Sequence, residues 1–206
     1  QQLLGQTTSA AVARELWLQR DELLAGGRFR GRDVFVTVLI ADIQGFTGVA
    51  EGQAPERVLA WLNRGFGLFV PCIQARGGLV NTFLGDGLLA VFGAPLSQGH
   101  QADAAAALAA ASAIRQGLAT LNRELAGAGE PPLRLRIGLH SGPVLAGSLG
   151  ATDRWTYGVI GDAVNCAARL ESLAQQRPQG ACRILVSGAT RQLLAQISWN
   201  VGLLLA

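Results

Sequence analysis

Two aspartates, an asparagine and an arginine are the residues of this chain best suited to chemistry. Asp42 closes the β-rich run "VFVTVLIA" and leads into Ile43-Gln44-Gly45-Phe46-Thr47. A turn accounts for the glycine there, but not for an acid placed where a buried strand leaves the core. Asp86 lies in "LGDG", between the β-rich runs Leu79–Leu84 and Leu88–Phe92, and Asp-Gly at such a spot is the signature of a tight hairpin. Most hairpins of this kind are only hairpins. Two carboxylates brought together with backbone carbonyls and water, however, form the hard-oxygen set that suits Mg²⁺ or Mn²⁺ bound with a nucleotide's phosphates. The Gly45 loop would then present backbone N–H groups to those phosphates. Asn165 and Arg169 stand at i and i+4 of a helical stretch and share one face. That face is either simply solvated or a polar pair aimed at a ligand, with Arg169 able to give charge-assisted bonds to a phosphate.

The elements that must position these residues alternate along the chain. After the strand ending at Asp42 comes a helix from about Pro55 to Arg76, with Pro55 suited to its first turn. The hairpin through Gly85-Asp86-Gly87 follows, then a long Ala-rich helix from about Gln101 to Leu125, ended by "AGAGEPP". "LRLRIGLHSGPVLAGSLG" reads as two strands around His140-Ser141-Gly142-Pro143. A short hairpin with Trp155 and Tyr157, a helix from about Asp162 to Gln175, a strand "CRILVS" and a helix "GATRQLLAQ" complete the pattern. The β-α-β-β-α-β order from 33 to about 148 predicts an α+β fold with a ferredoxin-like core, its helices on one face of the sheet, and an added C-terminal αβ extension. In such a sheet the first strand and the hairpin are neighbours, so Asp42 and Asp86 approach a common point. The fold alone implies no chemistry. Residues 1–31 read as a helical lead-in with a stripe of Leu16, Trp17, Leu23 and Leu24, stopped by Gly26-Gly27. It is either a packed terminal helix or a signal-transmitting stem, and residues 32–206 are the functional domain.

Composition narrows the classes. Half of the 206 residues are apolar and 15% are charged, which predicts a sizeable core rather than disorder. A net charge of +3, with no basic cluster interleaved with aromatics, argues against a nucleic-acid partner. All 17 basic residues are arginine, so any task that needs a lysine must be done otherwise. Cys72, Cys166 and Cys182 are widely spaced and read as reduced thiols. The Ala104–Ala111 run is too short to span a membrane. The chain has no methionine, which predicts a piece of a longer protein whose sensor or membrane part lies elsewhere.

"VTVLIADIQGFT", "GGLVNTFLGDGLLAVFGAP", "RIGLHSGPVLAGSLG" and "YGVIGDAVNCAARLES" resemble, in order and spacing, the signature blocks of class III adenylyl and guanylyl cyclase catalytic domains. The resemblance covers about 34 to 195. It implies that Asp42 and Asp86 hold two divalent metals, Mg²⁺ or Mn²⁺, with the Ile43 carbonyl as a further ligand. The loop Gln44-Gly45-Phe46-Thr47 would wrap the triphosphate, Asn165 would orient the ribose, and Arg169 would stabilise charge on the α-phosphate. It further implies a GTP or ATP substrate, a head-to-tail homodimer whose sites take metal acids from one chain and Asn165 and Arg169 from the other, and a cytoplasmic domain of a receptor-type protein.

The pattern is broken in two places. The positions at which the family reads its base fall on Thr82 and Gly158, where the adenylyl pair is absent and the guanylyl pattern is matched at one. A neutral Thr82 and a Gly158 that offers only backbone predict loose base choice with GTP weakly favoured. The family also carries a triphosphate-binding lysine beyond a strand like "SWNVGLLLA", and here Arg183 is a candidate to stand in. These departures leave open a second reading, a regulatory module that binds nucleotide without turnover. A third, a ferredoxin-like enzyme such as a diguanylate cyclase or polymerase palm, gives the Asn165/Arg169 helix no task.

Overall fold

The computed structural model describes residues 24–25, 28–151, 155–174 and 180–195. In chain order the elements are β1 (Leu24–Ala25), β2 (Arg28–Phe29), β3 (Arg32–Ile43), α1 (Phe46–Ala50), α2 (Pro55–Gln74), β4 (Leu79–Leu84), β5 (Gly87–Phe92), α3 (His100–Gly127), β6 (Leu135–Gly150), β7 (Trp155–Ile160), α4 (Asp162–Leu173), β8 (Cys182–Val186) and α5 (Gly188–Ala195). The main sheet runs β4-β5-β3-β6-β7, with β8 pairing β6 in parallel. The β3-α2-β4-β5-α3-β6 part is the expected ferredoxin-like core, and α4-β8-α5 is the extension.

Residues alternate across β3 because successive side chains point to opposite faces. Leu39, Ala41 and Ile43 pack with Trp61, Phe69 and Ile73 of α2 and with Ala107, Ile114 and Leu118 of α3. Val36, Val38 and Ile40 face the other way, towards Ala163 and Ala167 of α4. Burial on both faces explains why β3 reads as an unbroken apolar run. The core helices α2 and α3 share one face as expected, and α4 of the C-terminal extension covers the other. Gly138 makes this possible, since a Cβ there would lie 2.2 Å from the Ala167 carbonyl oxygen.

Three sequence expectations fail for identifiable reasons. The block around Gly142-Pro143 is one continuous strand, β6, rather than two. β8 pairs Leu135–Leu139 and β7 pairs Leu145–Gly150, so Pro143 falls in the gap where only β3 flanks β6 and a missing N–H is tolerated. Trp155 and Tyr157 accordingly belong to a single strand that forms a hairpin with the end of β6. Leu24 is not helical: Leu24 and Ala25 pair with Phe29 and Arg28. Leu16, Trp17 and Leu23, like the "SWNVGLLLA" strand, lie outside the described residues. Finally, α3 is long and apolar enough by length and composition to cross a membrane. Its Ala107, Leu108, Ile114, Leu118 and Leu125 nevertheless sit in the core cluster between α2 and the sheet.

Candidate active site

Asp42 is the penultimate residue of β3 and pairs with Gly87 of β5 on one side and Arg136 of β6 on the other. Leu84 pairs with Gly87, so Gly85 and Asp86 form the two-residue hairpin tip beside it. The expected meeting of the two acids follows from this register. A Cβ at Gly87 would lie 2.6 Å from the Ala41 carbonyl oxygen and 3.1 Å from Asp42 Oδ1, so only glycine lets the hairpin come this close to the acid. Burial pushes the Asp86 carboxyl above the usual carboxylate range, the charge of Asp42 adds to the push, and the backbone hydrogen bond and Arg136 oppose it. The two carboxylates therefore feel each other.

Arg136 and Glu171 complete the acid cluster, and sequence reading missed both. Arg136 NH2 pairs with Asp42 Oδ2. Its Nε lies 2.8 Å from Glu171 Oε1, close enough for an ion pair although misaligned for a hydrogen bond. Burial pushes the Glu171 carboxyl up, Arg136 pulls it down, and Asp42 and Asp86 raise it further. The signal that could have found Arg136 is a charged residue alternating with core positions Leu135 and Ile137 in a strand beside that of Asp42.

Among the described residues no three His, Cys, Asp or Glu side chains group closely enough to form a closed cage. Two carboxylates in mutual repulsion, with the third acid held by Arg136, suit a hard cation that takes its remaining ligands from water and phosphates. Asp42 and Asp86 would hold it, beside Ile43, which is buried at the end of β3.

Beyond Ile43, Gln44 donates its N–H to the Arg134 carbonyl at 2.8 Å. Gly45 adopts the left-handed φ of 77° and opens the short helix α1. Phe46 and Thr47 are thus in the first turn of a helix and not in an open loop, which corrects the expectation. First-turn N–H groups have no intrahelical acceptor and remain available to an anion. Phe46 packs against the α2/α3 core and ties this turn down.

Asn165 and Arg169 are exposed on α4, opposite the buried Ala163 and Ala167. Neither makes a hydrogen bond or ion pair with Asp42 or Asp86 among the described residues. The acids and this pair are not brought together within one chain. Thr82 is exposed on β4, its Oγ1 donating to the Phe83 carbonyl at 3.3 Å. Gly158 is buried on β7 opposite Gly147. Their preceding residues touch: Asn81 Nδ2 donates to the Tyr157 carbonyl at 2.7 Å. Arg183 sits on β8, beside Arg136 in register, and donates to the Ala174 carbonyl at 3.4 Å.

Comparison with known proteins follows the same lines. Residues 32–202 match the family model described as the adenylate and guanylate cyclase catalytic domain. Adenylate cyclase 1 of Rhizobium meliloti is 35% identical over 169 residues, 81% of this chain and 25% of that protein. An uncharacterised protein of Mycobacterium tuberculosis is 40% identical over 202 residues, 97% of this chain and 32% of the relative. The chain thus spans about a third or less of the length of these curated relatives. Among solved structures, the guanylyl cyclase Cya2 superposes with a TM-score of 0.73 at 37% identity, covering 80% of each chain. The adenylyl cyclase CyaB from P. aeruginosa does so with a TM-score of 0.75 at 32% identity, covering 82% of this chain and 84% of that one. The chain belongs to the adenylate and guanylate cyclase catalytic domain family, the class III nucleotidyl cyclases.

Proposed function

We propose that this domain converts a purine nucleoside triphosphate to its 3′,5′-cyclic monophosphate and pyrophosphate, with GTP weakly favoured over ATP, in a homodimer with two composite sites. The observation that carries this reading is the register of Asp42 with Gly87, which sets the β3 acid beside the hairpin that holds Asp86. The ribose 3′-oxygen attacks the α-phosphorus in line, the bond from that phosphorus to the β-phosphate bridging oxygen breaks, and the hydroxyl proton passes to solvent. Bound divalent metals would make the hydroxyl a better nucleophile and offset charge on the leaving pyrophosphate.

The chain's own residues divide the remaining work. Asp42 and Asp86 hold the cations. The first-turn N–H groups of α1 and the Arg136 guanidinium offer charge to the triphosphate, and an arginine there suits a chain without lysine. Asn165 orients the ribose, and Arg169 meets the charge that develops on the α-phosphate. Both are exposed and unpaired with the acids in their own chain, which supports their supply to a second copy's acids. The longer relatives support a domain that is one part of a larger protein, and its place in that protein is taken to be the cytoplasmic output.

Base choice is the finer part of the proposal. Both a guanylyl and an adenylyl cyclase resemble this chain in structure, so likeness does not select the base. Thr82 carries no charge and Gly158 no side chain, so neither purine meets a dedicated partner whose loss would be penalised. A product assay with ATP, GTP, CTP and UTP plus Mn²⁺ tests the whole reading. Cyclic GMP and cyclic AMP are both expected, with cyclic GMP modestly ahead. A preference for ATP over GTP of about a hundredfold in kcat/KM would contradict loose choice. Nucleotide binding without any cyclic product would establish the regulatory module instead.

A further inference from the structure

We propose that Asn81 is a positioning residue for the nucleobase, which it serves by fixing the distance between Thr82 and Gly158. The inference rests on the cyclase reading above and concerns how the base end of that site is built.

Asn81 is the extra residue of a β-bulge. β4 pairs in register as Val80 with Ala90 and then as Thr82 with Leu89, so Asn81 has no partner on β5. Bulges of this kind re-aim side chains beside functional sites. Directly paired residues share a face, and Leu89 belongs to the cluster on the α4 side of the sheet. Thr82 therefore lies on the α4 side, where strict alternation from Val80 would have turned it to the α2/α3 side. Val80 itself packs in that α2/α3 cluster. The bulge thus delivers two consecutive residues, Asn81 and Thr82, towards the α4 side of the sheet.

β4 and β7 are the two ends of the main sheet path, so no ladder hydrogen bond sets the distance between them. The Asn81 amide spans that separation, reaching the Tyr157 carbonyl at 2.7 Å. Tyr157 is held from its other side: its ring meets Phe29 edge-on at 4.8 Å between centroids. Gly158 follows directly, with Leu149 against it on β6; a Cβ at Gly158 would lie 3.1 Å from Leu149 Cβ. The β7 end is thereby fixed from three directions, and Asn81 is the contact that refers β4 to it. With no charged side chain at either base position, the pocket works by spacing and backbone. Among the described residues, the Asn81 amide supplies a direct side-chain hydrogen bond between β4 and β7.

The test uses the 206-residue chain, with Asn81→Ala and Asn81→Asp. The aspartate keeps the shape but turns a second acceptor on the Tyr157 carbonyl. Dissociation constants for 3′-deoxy-ATP and 3′-deoxy-GTP, which lack the attacking hydroxyl, are measured beside the inhibition or binding constant of tripolyphosphate, which has no base. Both variants should weaken both deoxynucleotides by about three- to tenfold, the scale of one lost hydrogen bond, and raise KM in step. The tripolyphosphate constant should stay within about twofold, and kcat should change less than KM. Nucleotide constants that do not move, or a tripolyphosphate constant that rises in parallel, would overturn the assignment. A wild-type chain that makes no cyclic nucleotide would overturn the cyclase reading alone, since the binding constants still decide the role of Asn81.

Discussion

Asp42 and Gly87 face each other across the β3–β5 ladder with no room for a side chain between them: a Cβ on Gly87 would lie 2.6 Å from the Ala41 carbonyl oxygen and 3.1 Å from Asp42 Oδ1. The glycine after the hairpin tip is thus part of how the acids are set. Gly87→Ala must push β3 and β5 apart where Asp42 and Asp86 meet. It should destabilise the domain by about 1–3 kcal/mol, the range for overpacking. A misplacement of the metal acids should also lower kcat by about tenfold or more at saturating Mn²⁺. An alanine variant with wild-type kcat and metal requirement would show that the close approach is not needed.

Arg136 joins two carboxylates from different elements, Asp42 on β3 and Glu171 on α4. Its side chain and that of Glu171 are 13% and 11% exposed, so removing the arginine strands a buried charge. Arg136→Ala should cost about 3 kcal/mol. In a domain of this size that lowers Tm by about 6–12 °C. Adding Glu171→Gln should restore more than half of the loss, because the stranded charge goes with it. Urea or thermal melts of the two single variants and the double give the coupling directly. Strict additivity would show that the two side chains are independent.

Asp86 carries a carboxyl whose pKa is raised by burial first and by Asp42 second. A folded-state pKa above the unfolded one means that the folded chain holds the proton longer. This group therefore favours folding below its unfolded pKa, and that contribution is lost as pH rises through the folded pKa. Asp86→Asn should accordingly raise the Tm of the metal-free protein at pH 7–8, and the gain should vanish below the usual carboxylate range. Mn²⁺ with 3′-deoxy-GTP should raise the Tm of the wild type and leave that of the variant nearly unchanged. Thermal melts across pH, with and without Mn²⁺, read both effects. A variant less stable than wild type at neutral pH would contradict the sign.

Elements with strong local patterns were legible from sequence. β3, the β4–β5 hairpin, α2 and α4 announce themselves through apolar runs, Asp-Gly, Pro55 and helical spacing. β6 did not, because Gly142-Pro143 carries a turn signal that a gap between β7 and β8 overrides. The positions of Asp42 and Asp86 could be read because a strand end and a hairpin tip are local features. Arg136, Glu171 and Asn81 could not. Arg136 meets Asp42 across 94 residues of chain, and Asn81 meets Tyr157 across 76. Such meetings depend on register and on a one-residue bulge, neither of which has a local signature.

In the proposed dimer one catalytic site takes its metal acids from one chain and Asn165 and Arg169 from another, and mixing two inactive variants measures this directly. In the proposed arrangement, Asp86→Ala homodimers would lack a metal acid at both sites. Arg169→Ala homodimers lack, at both sites, the charge that meets the transition state, a loss of about 10²–10³ in rate. When subunits exchange, a mixed dimer has one site with both lesions and one with neither. Random pairing makes about half the dimers mixed, each with one intact site of two, so about a quarter of wild-type cyclase activity should return. A mixture that has verifiably exchanged subunits and stays as inactive as its parents would contradict the composite site.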